Sequence, residues 1–257
     1  MLDHIYLRRV LFLDIETVPE QPNLSDLEPE MQALWQYKTG RFQKPEEEPQ
    51  DYYFQKAGVY AEFGKIICIS VGFFAKTKNN NQEEPPQETF RIKTFYGDDE
   101  KQVLNDFLAL LNAHFNNPYR FYLCGHNIRE FDIPFICRRA LIHGLSLPRM
   151  LDVPSLKPWE IPYIDTMKIW KFGDYKNFTS LHLLTKLLQI PSPKGDLEGK
   201  DVGRVYWREK DLERIVKYCQ QDVLAVARLV QKFKGFSPMT TEQVIFVEES
   251  NGDAPTP

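Results

Sequence analysis

The 257-residue sequence predicts an α/β fold with a mixed central sheet flanked by helices. Three observations carry this. Arg9 to Ile15 (RVLFLDI) reads as a buried strand. Two more strand-like runs follow, joined by a polar loop. After them strand and helix patterns alternate and end on a long amphipathic helix. Apolar and aromatic residues make up 42% of the chain, enough for one sizeable core, and exclude a wholly disordered chain.

The elements follow in order. Pro19 and Pro22 end the first strand. Residues 20–62 form a polar insertion with nine acids against four bases; within it Met31, Leu34 and Trp35 fit a short amphipathic helix. Lys65 to Phe74 and Thr89 to Phe95 read as a hairpin pair. The connecting residues 76–88 are a second insertion, low in complexity. Asp98 or Asp99 caps a helix with the stripe Val103, Phe107, Leu108, Leu110 and Leu111. Phe121 to Cys124 is a strand, and a helix over Ile133 to His143 stops at Gly144. Tyr163 to Asp165 fits a short strand. A helix covers Ser180 to Leu188, and the last runs from Asp211 to Phe233. Residues 1–247 are expected to form a single domain, and 248–257 a disordered tail.

No apolar run approaches the ~18 residues of a membrane span. Asp3, Arg8, Arg9, Asp14 and Glu16 interrupt any signal-like run, so a cytoplasmic location is expected. Cys68, Cys124, Cys137 and Cys219 are far apart and read as free thiols.

Three stretches place acids where chemistry could use them. In Asp14-Ile15-Glu16, strand alternation puts both carboxylates on one face, about 7 Å apart along the strand. Leu11, Leu13 and Ile15 share the other face. For this motif alone, two solvent-facing acids at a strand end is the simpler explanation. Asp132, in Gly125 to Pro134, precedes a helix and can be its N-cap as readily as a cleft residue. Tyr218 and Asp222 are four apart on one helix face, which an exposed acid and a half-buried tyrosine would also explain. Together they change the odds. Two-metal phosphoryl transfer needs clustered hard oxygen ligands, and a nearby phenol can orient the attacking water or accept its proton.

Read together, DIET (Asp14 to Thr17), GHNIREFDIP (Gly125 to Pro134) and YCQQD (Tyr218 to Asp222) resemble the three motifs of the DEDD superfamily of 3′–5′ exonucleases. The middle motif resembles that of B-family DNA polymerase proofreading domains. The stretches SLHLLTKLL (Ser180 to Leu188) and KGDLEGKDV (Lys194 to Val202) look like stand-alone bacterial forms. The position five before Asp222 is Lys217 and not histidine, so the resemblance is to the tyrosine subtype. It spans about residues 9 to 236 and implies a ribonuclease H-like fold. It also implies two divalent ions, Mg²⁺ or Mn²⁺, held by Asp14, Glu16, Asp132 and Asp222. Tyr218 would position the nucleophile. Asn127, Phe131 and, less directly, Thr17 would contact the terminal nucleotide. The implied partner is a single-stranded 3′ end, DNA before RNA. The implied activity is release of nucleoside 5′-monophosphates. A ribonuclease D-type exoribonuclease and an inactive nucleic-acid-binding module are the alternatives. Asp165 is read as a structural or helix-capping acid outside the ligand set.

The net charge of −4 at first points away from nucleic acid. It is unevenly spread. From Asp165 to Lys217 eleven bases face eight acids, with Trp170, Phe172, Tyr175, Tyr206 and Trp207 among them. That stretch could contact a single strand or be a solvated face with aromatics in the core. The 20–62 insertion could shape the cleft or dock a protein partner.

Overall fold

The computed structural model describes residues 2–76, 88–176, 178–191 and 197–247. The first hydrophobic run forms β1 (Val10–Pro19). The polar segment after it contains α1 (Pro29–Thr39) and α2 (Pro49–Lys56). β2 (Gly64–Lys76) and β3 (Glu88–Tyr96) then pair antiparallel. α3 (Glu100–Leu110), β4 (Tyr122–Gly125), α4 (Asp132–Ile142), β5 (Tyr163–Asp165) and α5 (Thr166–Lys171) alternate. α6 (Leu181–Leu187), the short α7 (Val202–Arg204), α8 (Leu212–Phe233) and β6 (Val244–Phe246) complete the described chain.

The six strands form one mixed sheet in the order β5-β4-β1-β2-β3-β6. β1 pairs antiparallel with β2 and parallel with β4; β4–β5 and β3–β6 are also parallel. This α/β architecture, with helices on both faces, agrees with the ribonuclease H-like expectation. Alternation along β1 assigns its side chains. Leu11, Leu13 and Ile15 enter a core with α3 and α4, through Phe107, Leu111, Ile133 and Ile136. Val10 and Phe12 meet Val223, Val226 and Val230 of α8 on the opposite face. α8 therefore lies over the face on which Asp14 and Glu16 also sit.

The structure revises several boundaries. β1 runs four residues beyond Ile15, because a register irregularity between Glu16 and Thr17 lets Thr17 to Pro19 keep pairing with Ile66 to Gly64. The 20–62 segment holds more structure than its polarity suggests. Trp35 is surrounded by the rings of Tyr52, Tyr53, Tyr60 and Phe63, with centroids 5.1–5.9 Å away. Leu34, expected on the apolar stripe of α1, is exposed. Asp99 is the cap of α3, accepting from the Gln102 N–H at 3.2 Å. The cap of α6 is Ser180, and that of α8 is Asp211. All four cysteines are free. Among the described residues no helix is long and apolar enough to cross a membrane. Most of the 76–88 loop and the whole of the 248–257 tail lie outside the described residues.

A buried charge pair locks α4 to α3. Arg139 donates to Glu100 through Nε (2.9 Å) and Nη2 (2.5 Å). Glu100 also accepts from the Ile66 N–H at 2.7 Å and contacts His143. Arg139 satisfies the Ala61 carbonyl as well, at 3.0 Å. This network fixes the helix that begins with Asp132.

Candidate active site

β1, α4 and α8 converge on a cluster of carboxylates. Asp14 and Glu16 point from β1 toward α8. Oxygen atoms of both lie within 4.8 Å of each other and of the Cys219 sulfur. The Cys219 thiol donates to the Asp14 carbonyl at 3.4 Å, which pins α8 to β1 at this level. Asp132 sits in the first turn of α4, with Phe131 in the cap position. The N-cap alternative for Asp132 is thus corrected. Its Oδ1 instead accepts from the Ile15 N–H at 3.2 Å. The β1–β4 ladder ends at Phe12–Cys124, which leaves that N–H available to α4.

Tyr218 and Asp222 share one face of α8, and the Tyr218 hydroxyl lies toward the Asp222 carboxylate and lowers it. The tight trio of Asp14, Glu16 and Cys219 does not include Asp132 or Asp222. Those two are turned toward the Ile15 N–H and the Tyr218 hydroxyl, and reach the cluster through their charge.

The electrostatics are one-sided. Glu16 and Asp132 are only 8% and 3% exposed. Burial, then repulsion from Asp222, Glu16 and Asp132, raises Asp14 well above the carboxylate range. Burial and the neighbouring acids do the same to Glu16. Burial pushes Asp132 up to about 7, against partial relief from its backbone donors. Burial raises Asp222 to about 6, against partial relief from the Tyr218 hydroxyl. Burial and the three acids raise Tyr218 far above a normal phenol, so it stays protonated at every physiological pH. Among the described residues no base lowers any of the four acids, and Oδ2 of Asp14 is buried without a partner. Buried like charges with an orphaned oxygen are the donor set that a hard divalent cation satisfies.

The loop between β4 and α4 is organised by Asp165, as its expected structural role requires. Its carboxylate accepts from the Asn127, Arg129, Met167 and Lys168 N–H groups at 3.0–3.3 Å. Arg129 reaches back to the Tyr163 carbonyl at 2.7 Å. Asn127 takes a left-handed backbone (φ +65°) within this turn. Gly125 is required there, since a Cβ would lie 2.9 Å from Ile128 Cβ and 3.0 Å from the Leu13 carbonyl. Phe131 stays partly exposed beside Phe135. The Thr17 hydroxyl donates to the Gly58 carbonyl at 2.6 Å, which commits its proton to holding the strand end.

Sequence reasoning missed Cys219 and His126. Cys219 was legible only through its helix position, three residues before Asp222. His126 bridges Thr166 Oγ1 and the Thr179 carbonyl, both at 2.9 Å, a contact that no local spacing announces.

Fold and site together define a nuclease-like domain with a candidate metal-binding cluster. Residues 60–246 match the family model described as a predicted 3′–5′ exonuclease related to the exonuclease domain of PolB, and the chain belongs to that family. The match includes Asp132, Tyr218 and Asp222 and begins after Asp14 and Glu16. Among solved structures, the family B DNA polymerase from the hyperthermophilic archaeon Pyrobaculum calidifontis is similar at a TM-score of 0.52 and 14% identity. The similarity covers 88% of this chain and 24% of the polymerase chain, so it speaks for the fold. No curated protein matches the chain.

Proposed function

We propose that the protein is a two-metal 3′–5′ exonuclease of the tyrosine subtype. It acts on single-stranded DNA ends and releases nucleoside 5′-monophosphates. The observation that carries this reading is the close pair Asp14 and Glu16, with the orphaned Asp14 Oδ2, and Asp132 and Asp222 near enough to repel them. Asp14, Glu16, Asp132 and Asp222 would hold Mg²⁺ or Mn²⁺. When bound, the ions supply water activation and stabilisation of the leaving oxygen.

The chain's own residues do the rest. Tyr218, held protonated, orients the attacking water by hydrogen bonding and is not the base. Asp222 fixes that phenol. Asn127 and Phe131, on the loop set by Asp165, receive the terminal nucleotide, and Thr17 lines the same end of β1. Residues 1–247 act as one exonuclease domain.

The test is release of a labelled 3′ nucleotide with Mg²⁺ or Mn²⁺, for the wild type and Asp14→Ala. Equal activity in both would refute the mechanism. DNA and RNA oligonucleotides compared side by side decide the sugar.

A further inference from the structure

We propose that the connection between α5 and α6 is a stacking platform for the single strand behind its 3′ end, built from Phe172, Tyr175 and Phe178. The inference rests on the exonuclease reading and deepens it. The structure separates the aromatics of this basic stretch into two groups. Trp170 packs against Leu184, Ile190 and Leu229, while Tyr206 and Trp207 pack near Val18 and Ile215. Phe172, Tyr175 and Phe178 are 75%, 94% and 70% exposed. Three such rings on one connection are a poor use of apolar surface unless a flat apolar partner covers them.

Position and charge identify that partner. Register places Phe12 beside Cys124, and Gly125 beside Asp165. Phe12, Cys124 and Ile164 therefore lie level on neighbouring strands, about 5 Å apart per step, and Asp14, His126 and Thr166 each follow two residues further on at the same end of the sheet. α5 leaves the sheet at Thr166, and the connection behind it is tied back by the His126–Thr179 hydrogen bond. Together they thus start and end at the rim of the carboxylate cluster. Phe172 is held at φ +44°, a backbone that a bulky residue rarely adopts, and Gly173 follows at φ +89°. Lys176 is exposed on the connection and Lys171, half-exposed, ends α5 just before it, in a chain that is acidic overall; Lys168, earlier in α5, is paired with Glu130 at 3.4 Å. Exposed rings interleaved with lysines suit bases and phosphates of a single strand. They do not suit an acidic cleft wall or a hydrophobic partner alone.

The experiment uses the full chain and two substrates. One is a 12-nucleotide oligothymidylate; the other is thymidine 5′-monophosphate p-nitrophenyl ester, too short to reach the platform. Phe172→Ala/Tyr175→Ala/Phe178→Ala should raise KM for the 12-mer about tenfold or more and leave the ester rate unchanged. Tyr175→Phe should keep wild-type KM, because its ring still stacks. Lys171→Ala/Lys176→Ala should flatten the salt dependence of 12-mer binding by about 0.7 log units per lysine removed. An unchanged 12-mer KM overturns the platform, as does an equal loss on both substrates. So does loss of self-association in the triple variant at unchanged KM, which would make the patch a protein contact. If the wild type hydrolyses neither substrate, the exonuclease reading has failed. The platform is then judged by anisotropy of the 12-mer in EDTA, where equal binding by wild type and triple variant overturns it.

Discussion

Asp132→Asn should stabilise the metal-free protein at alkaline pH while abolishing activity. The amide keeps an oxygen for the Ile15 N–H, 3.2 Å away, and removes a charge from a site only 3% exposed. The magnitude follows from linkage. Burial holds the folded carboxyl at about 7, against 3.8 for the ordinary group. A raised folded value contributes its full stability below pH ~4, where the carboxyl is neutral in both states. That contribution is lost as pH rises through about 7. The loss is at most about 4 kcal/mol. Neighbouring acids share the protons, so about 2 kcal/mol is the working figure for the variant's gain at pH 8. That corresponds to roughly 4–8 °C in Tm for a chain of this size. Urea melts in EDTA from pH 4 to 9 measure it. The gain should shrink toward pH 4. Saturating Mg²⁺ should stabilise the wild type and leave the variant behind. A variant less stable than wild type at pH 8 in EDTA, or a gain independent of pH, refutes the reasoning.

Tyr218→Phe should lower turnover about tenfold or more with metal binding intact. It also removes the hydroxyl that holds Asp222 down in the metal-free protein, so the pH midpoint for Mg²⁺ binding should move to higher pH; an unmoved midpoint would count against the pairing. Arg139→Ala leaves Glu100 buried without its guanidinium and should cost about 3–5 kcal/mol in urea unfolding, with activity per folded molecule retained. Gly72→Ala would put a Cβ 2.4 Å from Phe90 Cζ and 2.9 Å from Val223 Cγ1. The overpacking should cost about 1–3 kcal/mol, measured the same way.

Long periodic segments were readable because their pattern and their packing agree. Of the stripe expected on α8, Ile215, Val216, Val223, Val226 and Leu229 are buried and Leu212, in the first turn, is half-buried; the α3 stripe is buried throughout. The β1 alternation correctly separated Leu11, Leu13 and Ile15 from the Asp14 and Glu16 face. What failed depends on distant partners. α2 is a polar octapeptide whose Tyr52 and Tyr53 matter only once Trp35 is beside them. β6 is three residues added to the edge of β3, and nothing in Val244–Phe246 names that edge. α5 has six residues and starts from Asp165, whose capping role was legible while the helix behind it was not. For the site, residue types and order were legible. The bond from Asp132 to β1 was not, because it depends on where the β1–β4 ladder ends.

That bond bears on the separation between the family match and the cluster. The matched residues begin at 60, yet two of the four acids sit at Asp14 and Glu16. The structure does not treat them as an attachment. β1 lies between β2 and β4, so removing it would expose a long inner edge of β2 and sever β4 from the sheet. Three further ties cross the boundary: Asp132 to the Ile15 N–H, Cys219 to the Asp14 carbonyl, and Trp207 Nε1 to the Pro19 carbonyl at 3.0 Å. Each joins β1 to an element inside the matched region, and the first two lie at the carboxylates themselves. The strand that supplies half of the acidic cluster is therefore also the strand on which the sheet is assembled, and loss of the one entails loss of the other.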